Sequence, residues 1–370
     1  MSHVDIYGKT FPRTSLTVYQ PVYGQAGTGK RGCDDRLRTL YMADALFNNS
    51  TLLQGTVADI GCNLGYFLFK LSEKNSNKLV GVDKDGQVIA IANHINKHKK
   101  IENVAFKAAS GSAKGFPAAD TYLIFSVLHH VMKGPTFADD IFLKQAAKHA
   151  TTMYVELATH LEHPKWAKKL VISGNPYTYW AGELERITDG RFNVRLVGMH
   201  PTHINTVRPM YQLKKKIAEP LVIDGKKYVV YDKWTTSYRG YRACRLTPDD
   251  LQTGKVIKSG STYMFAESEG AHWFIKTAGA GHAVRPKIAG MLLSDVLKYS
   301  LLNFYDVVKI EQQLTEWASG DRAHPDAHPW NFMVTEQSEL FAIDEEGQSL
   351  FGRGADVSKK LVGTLMNLLY

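Results

Sequence analysis

Residues Thr56–Glu73 read TVADIGCNLGYFLFKLSE, and Lys78–Gly86 read KLVGVDKDG. The first stretch is a short apolar run, a turn with glycines at Gly61 and Gly65, and an amphipathic helix predicted from about Tyr66. The second is another apolar run, ending in the acid Asp83. Two parallel strands joined by a helix, with glycines in the first turn and a carboxylate after the second strand, make a nucleoside-binding βαβ unit. The glycines let the backbone approach a ligand closely, and the carboxylate accepts hydrogen bonds from a ribose diol. A generic βαβ unit that binds nothing shares this outline, so the residues of the turn must decide.

A dinucleotide fold wants G-x-G-x-x-G, to hold a pyrophosphate on a helix N-terminus. Here the turn is D-I-G-C-N-L-G, with Asp59 before the first glycine and no third glycine in register. A carboxylate beside a pyrophosphate is repulsive; beside a cationic amino-acid ligand it is useful. This turn resembles the first motif of class I S-adenosylmethionine (SAM) methyltransferases, and the resemblance runs from roughly Arg31 to Lys214. It implies that Gly61 and Gly65 flank the methionine moiety, that Asp59 helps hold its ammonium side, and that Asp83 takes the ribose hydroxyls. By the same resemblance Arg31, Asn63 and Ser126 join the cofactor-binding residues. "TYLIFSVLHHV" is similar to the fourth strand of that family, with its active-site end at Ser126–His130, and "TTMYVELATH" to the fifth. "NVRLVGM" and "RPMYQLKK" are similar to its closing antiparallel pair. After the third strand, where relatives often place an acid near the adenine, this chain reads "FKAASGSAKG".

Methyl transfer asks little covalent work of a protein. The acceptor must be aligned with the sulfonium-borne methyl and, if it is a hydroxyl, lose its proton. His129 and His130 follow the fourth strand, and Glu156 and His160 hold the equivalent place after the fifth. Open parallel sheets put their ligands at those strand ends. His130 or Glu156 is expected as the base, with His129 as a further catalytic candidate. The chain has neither the N-P-P-Y or D-P-P-Y tetrapeptide of amino-directed DNA methyltransferases nor a Pro-Cys nucleophile of the cytosine C5 type. Both absences point to a hydroxyl or other small acceptor.

Composition bounds the rest. The 370 residues are enough for two domains, and 44% hydrophobic with 22% charged residues is ordinary for a globular protein. No apolar run suits a signal peptide or a membrane span, and Cys33, Cys62 and Cys244 are too far apart for a disulfide framework or zinc site. A cytoplasmic protein is expected. The net charge of +9 is spread over scattered lysines, and runs such as Lys97–Lys100 and Lys214–Lys216 read as solvated surface. "GQAGTGK" (Gly24–Lys30) has P-loop spacing, but Arg31 stands where a Ser or Thr must reach magnesium. It reads as a Gly-rich segment leading into the helix "CDDRLRTLYMADALF".

Beyond Lys216 the character changes to short strands and turns. "GKVIKSGSTYMFAESEGAHWFIKTAG" is strand, Gly-Ser turn, strand, Glu-Gly turn, then a strand bearing Lys276. "HPDAHPWNFMV" and "FAIDEEG" follow in the places of a kinase catalytic loop and metal-binding acid. This half resembles the kinase-like superfamily. With a class I methyltransferase before it, the chain is similar to the bifunctional enzymes that cap O-antigen polysaccharides. The resemblance implies that Lys276 pairs with ATP phosphates, that Asp326 orients the acceptor hydroxyl, and that Asn331 and Asp344 hold magnesium. The interval from Lys276 to Asp326 is short for a kinase, and the helix "RPKIAGMLLSDVLKYS" lacks the glutamate partner of the lysine. An active Mg-ATP phosphotransferase and a non-catalytic remnant both stand open.

The expected fold is therefore α/β. A Rossmann-like seven-stranded class I methyltransferase sheet fills residues 1–214, and a small α+β kinase-like domain fills 215–370. The expected function is SAM-dependent O-methylation of a glycan or small hydroxyl acceptor. The alternative is an RNA methyltransferase whose C-terminal half binds nucleic acid or a partner.

Overall fold

A computed structural model describes residues 3–235 apart from 15–18, 26–27, 48–51, 53–54, 75–76, 110–115, 133, 139–141, 161, 163, 171, 173–175 and 203–205. Beyond these it describes 262–278, 281–286, 291–292, 309–310, 312–313, 332–334 and 340–342. Among the described residues the chain parts into two compact units between Lys216 and Ile217.

The first unit opens with a hairpin, β1 (His3–Ile6) and β2 (Lys9–Pro12), and helix α1 (Asp34–Phe47). The βαβ unit follows as β3 (Val57–Ile60), α2 (Tyr66–Ser72) and β4 (Leu79–Asp83). Then come α3 (Gly86–Lys99), β5 (Val104–Ala108), β6 (Thr121–Phe125), α4 (Leu128–Val131), α5 (Phe142–His149) and β7 (Thr152–Glu156). Helices α6 (Pro164–Lys169) and α7 (Pro176–Ile187) lead into β8 (Phe192–Pro201) and β9 (Val207–Lys215). The sheet order is β5-β4-β3-β6-β7-β9-β8, parallel from β5 through β7 and antiparallel in the β7–β9 and β9–β8 pairs. This is the Rossmann-like seven-stranded sheet, five parallel strands closed by an antiparallel pair, that the sequence leads one to expect.

Burial explains why these stretches are strands. Every residue of β3, β6 and β7 is buried, as a parallel sheet covered on both faces requires. Asp85, one residue beyond Lys84 after β4, turns the chain into α3: its side chain accepts from the backbone N–H of Gln87 at 2.8 Å and Val88 at 3.4 Å. The chain passes from β3 out to β4, and the next strand on the other side of β3 is β6. The carboxyl ends of β3 and β6, at such a reversal, are where open sheets bind ligands. Gly65 caps α2 with φ +79, and a Cβ there would lie 2.4 Å from Phe106 Cζ. Gly61 has φ +75 and would drive a Cβ to within 2.3 Å of Val127 Cγ2. Both positions therefore need glycine for backbone conformation and internal packing, in addition to any close approach to a ligand.

In the second unit, β10 (Glu219–Ile223), β11 (Lys226–Thr235), β12 (Thr262–Ser268), β13 (Ala271–Ala278) and β14 (Gly281–Pro286) form an antiparallel sheet in sequence order. Its buried side chains include Tyr228, Val230, Met264, Ala266 and Ile275. Strands β15 (Met291–Leu292), β16 (Phe332–Val334) and β17 (Leu340–Ala342) make a separate small sheet. Among the described residues no helix is long and apolar enough to cross a membrane.

Candidate active site

The carboxyl ends of β3, β4, β6 and β7 bring together Asp59, Asp83, Ser126 and Glu156. At the end of β3, Asp59 is 2% exposed, and its Oδ2 has no hydrogen-bond partner among the described residues. Burial, then the charge of Asp83, push its carboxyl up to about 8, against the opposing pull of Arg36. Asp83, at the end of β4, accepts the backbone N–H of Asn63 and of Asp85, each at 3.0 Å. Those two amides fix the carboxylate's direction and leave it further acceptor capacity for a diol. Asn63 lies in the turn with φ +50, and its backbone amide is thereby aimed at β4.

A second cluster sits at the ends of β6 and β7. Glu156 is fully buried; its Oε1 takes Arg31 Nη2 at 2.6 Å, and its Oε2 takes the Ser126 hydroxyl and lies 3.6 Å from Arg36 Nη1. Arg31 Nη1 also donates to Ser126 Oγ at 2.7 Å and to the Tyr19 hydroxyl at 3.0 Å. Despite the cost of burial, Arg36, Arg31 and Arg208 hold the Glu156 carboxyl below its usual range. Ser126 carries this network on a left-handed backbone, φ +62, a conformation that costs energy outside glycine and clusters at working sites. Glu156 is thus an anchor, its oxygens taken up by cations and a hydroxyl.

His129 and His130 sit on the four-residue α4 rather than directly on the strand end. His129 is buried, and burial followed by Arg208, His130 and Lys169 holds its imidazole well below the ordinary value. His130 reaches the surface, yet desolvation on its protein side, then Arg208, Lys165, Lys169 and Lys84, press it down to about 4. Lys169 Nζ donates to the carbonyls of His129 at 2.8 Å and His130 at 3.4 Å, holding the end of α4. Glu162 and Arg208 form a buried two-pronged ion pair.

Arg36 was not among the sequence candidates. It is 1% exposed, stacks over Phe67 at 5.0 Å, and donates to Gly32 O and Cys33 Sγ. Its place on α1 carries no chemical signature; only the long-range proximity to Glu156 and Asp59 reveals it. Gln20, buried, accepts the Tyr66 N–H at 3.3 Å at the start of α2. Lys276 lies on β13, its backbone opposite Tyr263 and Ala283. Asp326, Asn331 and Asp344 lie outside the described residues.

The site fits the methionine and ribose parts of SAM. A buried carboxylate oxygen lacks a partner beside a Gly-rich turn, an amide-oriented carboxylate follows one strand over, and Arg31 keeps an unpartnered Nε among the described residues. Residues 57–163 match the family model described as a methyltransferase domain. Over 90 residues, 23% of this chain, the sequence is 37% identical to a tRNA U34 carboxymethyltransferase of Helicobacter pylori (strain HPAG1). Over 82 residues, 22% of the chain, it is 30% identical to a probable protein arginine N-methyltransferase 3 of Arabidopsis thaliana. The chain spans only 34% and 14% of the lengths of these two relatives. Among solved structures, the bifunctional kinase-methyltransferase WbdD aligns with 95% of this chain and 84% of its own, at 18% identity and a TM-score of 0.46. The magnesium protoporphyrin IX methyltransferase ChlM of Synechocystis PCC 6803 aligns with 49% of this chain and 81% of its own, at 17% identity and a TM-score of 0.36.

Proposed function

With residues 57–163 a methyltransferase domain, we propose that the protein is a SAM-dependent methyltransferase that acts on a hydroxyl oxygen of a glycan or small acceptor. The observation that carries the reading is the pair of carboxylates around one Gly-rich turn: Asp59 with a buried oxygen that has no partner among the described residues, and Asp83 oriented by two amides. Asp59 would face the ammonium of the cofactor, Asp83 its ribose, and Arg31 its carboxylate, with Ser126 and Asn63 bordering the same site. SAM, when bound there, supplies an electrophilic methyl on a sulfonium.

Of the two candidate bases, the environment favours His130. Its imidazole, pressed down to about 4, is neutral at physiological pH, and the residue is exposed shortly beyond the carboxyl end of β6. Glu156 instead holds Arg31 and Ser126 in place. His129, buried beneath, supports the position of α4. The second unit, with Lys276 on β13, is read as a kinase-like module that either phosphorylates the same acceptor or grips it.

A second reading is methylation of RNA, favoured by the match to tRNA U34 carboxymethyltransferases and by the net charge of +9. Incubation with methyl-labelled SAM against glycan, small-molecule, RNA and protein pools separates the two. Label in a glycan or small hydroxyl compound is expected; label in RNA alone replaces the first reading with the second. Titration of ATP with and without magnesium tests the C-terminal module, since magnesium-dependent affinity is expected only of a working phosphotransferase.

A further inference from the structure

Asp59 and Glu156 are both buried carboxylates at the carboxyl edge of one sheet, and among the described residues only Glu156 has cations in contact. Around Asp59 stand the Asp83 carboxylate on β4, the Arg36 guanidinium on α1, and the Cys62 thiol in its own turn. Arg36 is already engaged by Gly32, Cys33 and Glu156. No hydrogen bond reaches Asp59 Oδ2 among the described residues. A carboxylate ionised in such a place, next to another carboxylate and with one buried oxygen lacking a donor among the described residues, is strongly disfavoured.

We propose that Asp59 is protonated in the cofactor-free protein and that capture of the cofactor's ammonium expels this proton, so that binding and proton release are one event. The inference rests on the cofactor reading above and adds a coupling to it. The balance is simple: the O–H bond of the Asp59 carboxyl breaks, the proton leaves to buffer, and the carboxylate left behind pairs with the incoming N–H donors. The unpartnered oxygen is thereby satisfied, and the ligand's positive charge offsets the repulsion from Asp83. The direction of the pKa, raised to about 8 in the free protein, agrees with the geometry. The sign follows from linkage. Below that value the proton must be removed before the ion pair forms, so affinity falls as pH falls, by at most tenfold per pH unit.

The test is calorimetry with S-adenosylhomocysteine, which carries the same ammonium, in two buffers of different ionisation enthalpy near pH 7. The wild-type protein is expected to release close to one proton more per ligand than Asp59→Asn. The ligand's own amine titrates equally with both proteins, so the difference isolates Asp59. From pH 8.5 down to 6.5 the wild type is expected to lose roughly twenty-fold more affinity than the variant. Equal proton release by the two proteins overturns the proposal while leaving the cofactor reading intact. Should Asp59→Asn fail to fold, the wild type alone decides: buffer-independent binding enthalpy near pH 7 overturns the coupling. A wild type that binds no ligand at any pH overturns the cofactor reading and this inference with it.

Discussion

The ends of β3 and β7 carry the same functional group in opposite circumstances. Glu156 is enclosed by Arg31, Arg36 and Ser126, so its charge is satisfied within the chain. Asp59, on the same edge of the same sheet, keeps an oxygen with no donor among the described residues and faces Asp83. Burial acts on both; what differs is whether the fold supplies the compensating cation. Where it does, the carboxylate is scaffold. Where it does not, the missing partner has the chemistry of a ligand. Environment, rather than residue type, separates the anchor from the binding group.

The largest way to break this contrast is at the satisfied end. Arg31→Met strands the Glu156 charge with Arg36 at 3.6 Å as its remaining contact cation. A loss of about 3–5 kcal/mol of stability is expected from chemical denaturation, as for other buried pairs deprived of one member. A variant as stable as wild type would show that the network is incidental.

The two ends also predict opposite pH slopes for the cofactor-free protein. Glu156 has a folded value below its unfolded one, so its stabilisation is present above about pH 4.5 and is lost as pH falls through the folded value. Asp59 has a folded value near 8 against an ordinary aspartate value of 3.8, so the folded state holds a proton that the unfolded state has lost. Its contribution therefore weakens the fold as pH rises from about 4 to 8. Denaturation curves from pH 8 down through the acid side of about pH 4.5 are expected to lose the decline between 4 and 8 in Asp59→Asn and the acid loss below it in Glu156→Gln. Unchanged slopes in both variants would erase the distinction.

Asp83→Ala sharpens the comparison with a smaller effect. It removes a carboxylate held by the Asn63 and Asp85 amides, and is expected to cost about 1–3 kcal/mol in SAM affinity, measured by calorimetry. Unchanged affinity would remove Asp83 from the site. The smallest expected effect comes from cutting the chain after Lys216. The β9 strand ends at Lys215, Lys216 N–H closes on Arg191 O at 2.9 Å, and every cofactor candidate of the first unit precedes the cut. That fragment is expected to keep SAM affinity within about twofold, by the same measurement.

The first unit's sheet was legible where its signals are local. The turn between Asp59 and Gly65 and the acid at Asp83 lie within one βαβ unit, and the apolar runs at β6 and β7 announce strands buried on both faces. The pairing of Arg31 with Glu156 spans 125 residues, and no periodicity encodes a contact at that distance. The sequence therefore offered Glu156 as a proton acceptor, with nothing to show that its oxygens are occupied. The first hairpin was missed for another reason. Its turn is Tyr7-Gly8, with Tyr7 at φ +50, where an Asn-Gly pair would have signalled two left-handed residues. The expected Mg-ATP residues Asp326, Asn331 and Asp344 lie outside the described residues, so the sheet carrying Lys276 is what the structure adds there.

The pairing of Arg31 with Glu156 also sets an order of events during synthesis. Arg31 emerges well before its partner, which is 125 residues further along. At typical elongation rates the wait is about 6–25 s. For that interval the segment with Gln20, Arg31 and Arg36 has neither strand β7 nor its carboxylate to dock on, and closing so long a loop is entropically expensive. This early-made segment is thus fastened late, and a ribosome stalled before Glu156 would hold a nascent sheet without the carboxylate that anchors Arg31.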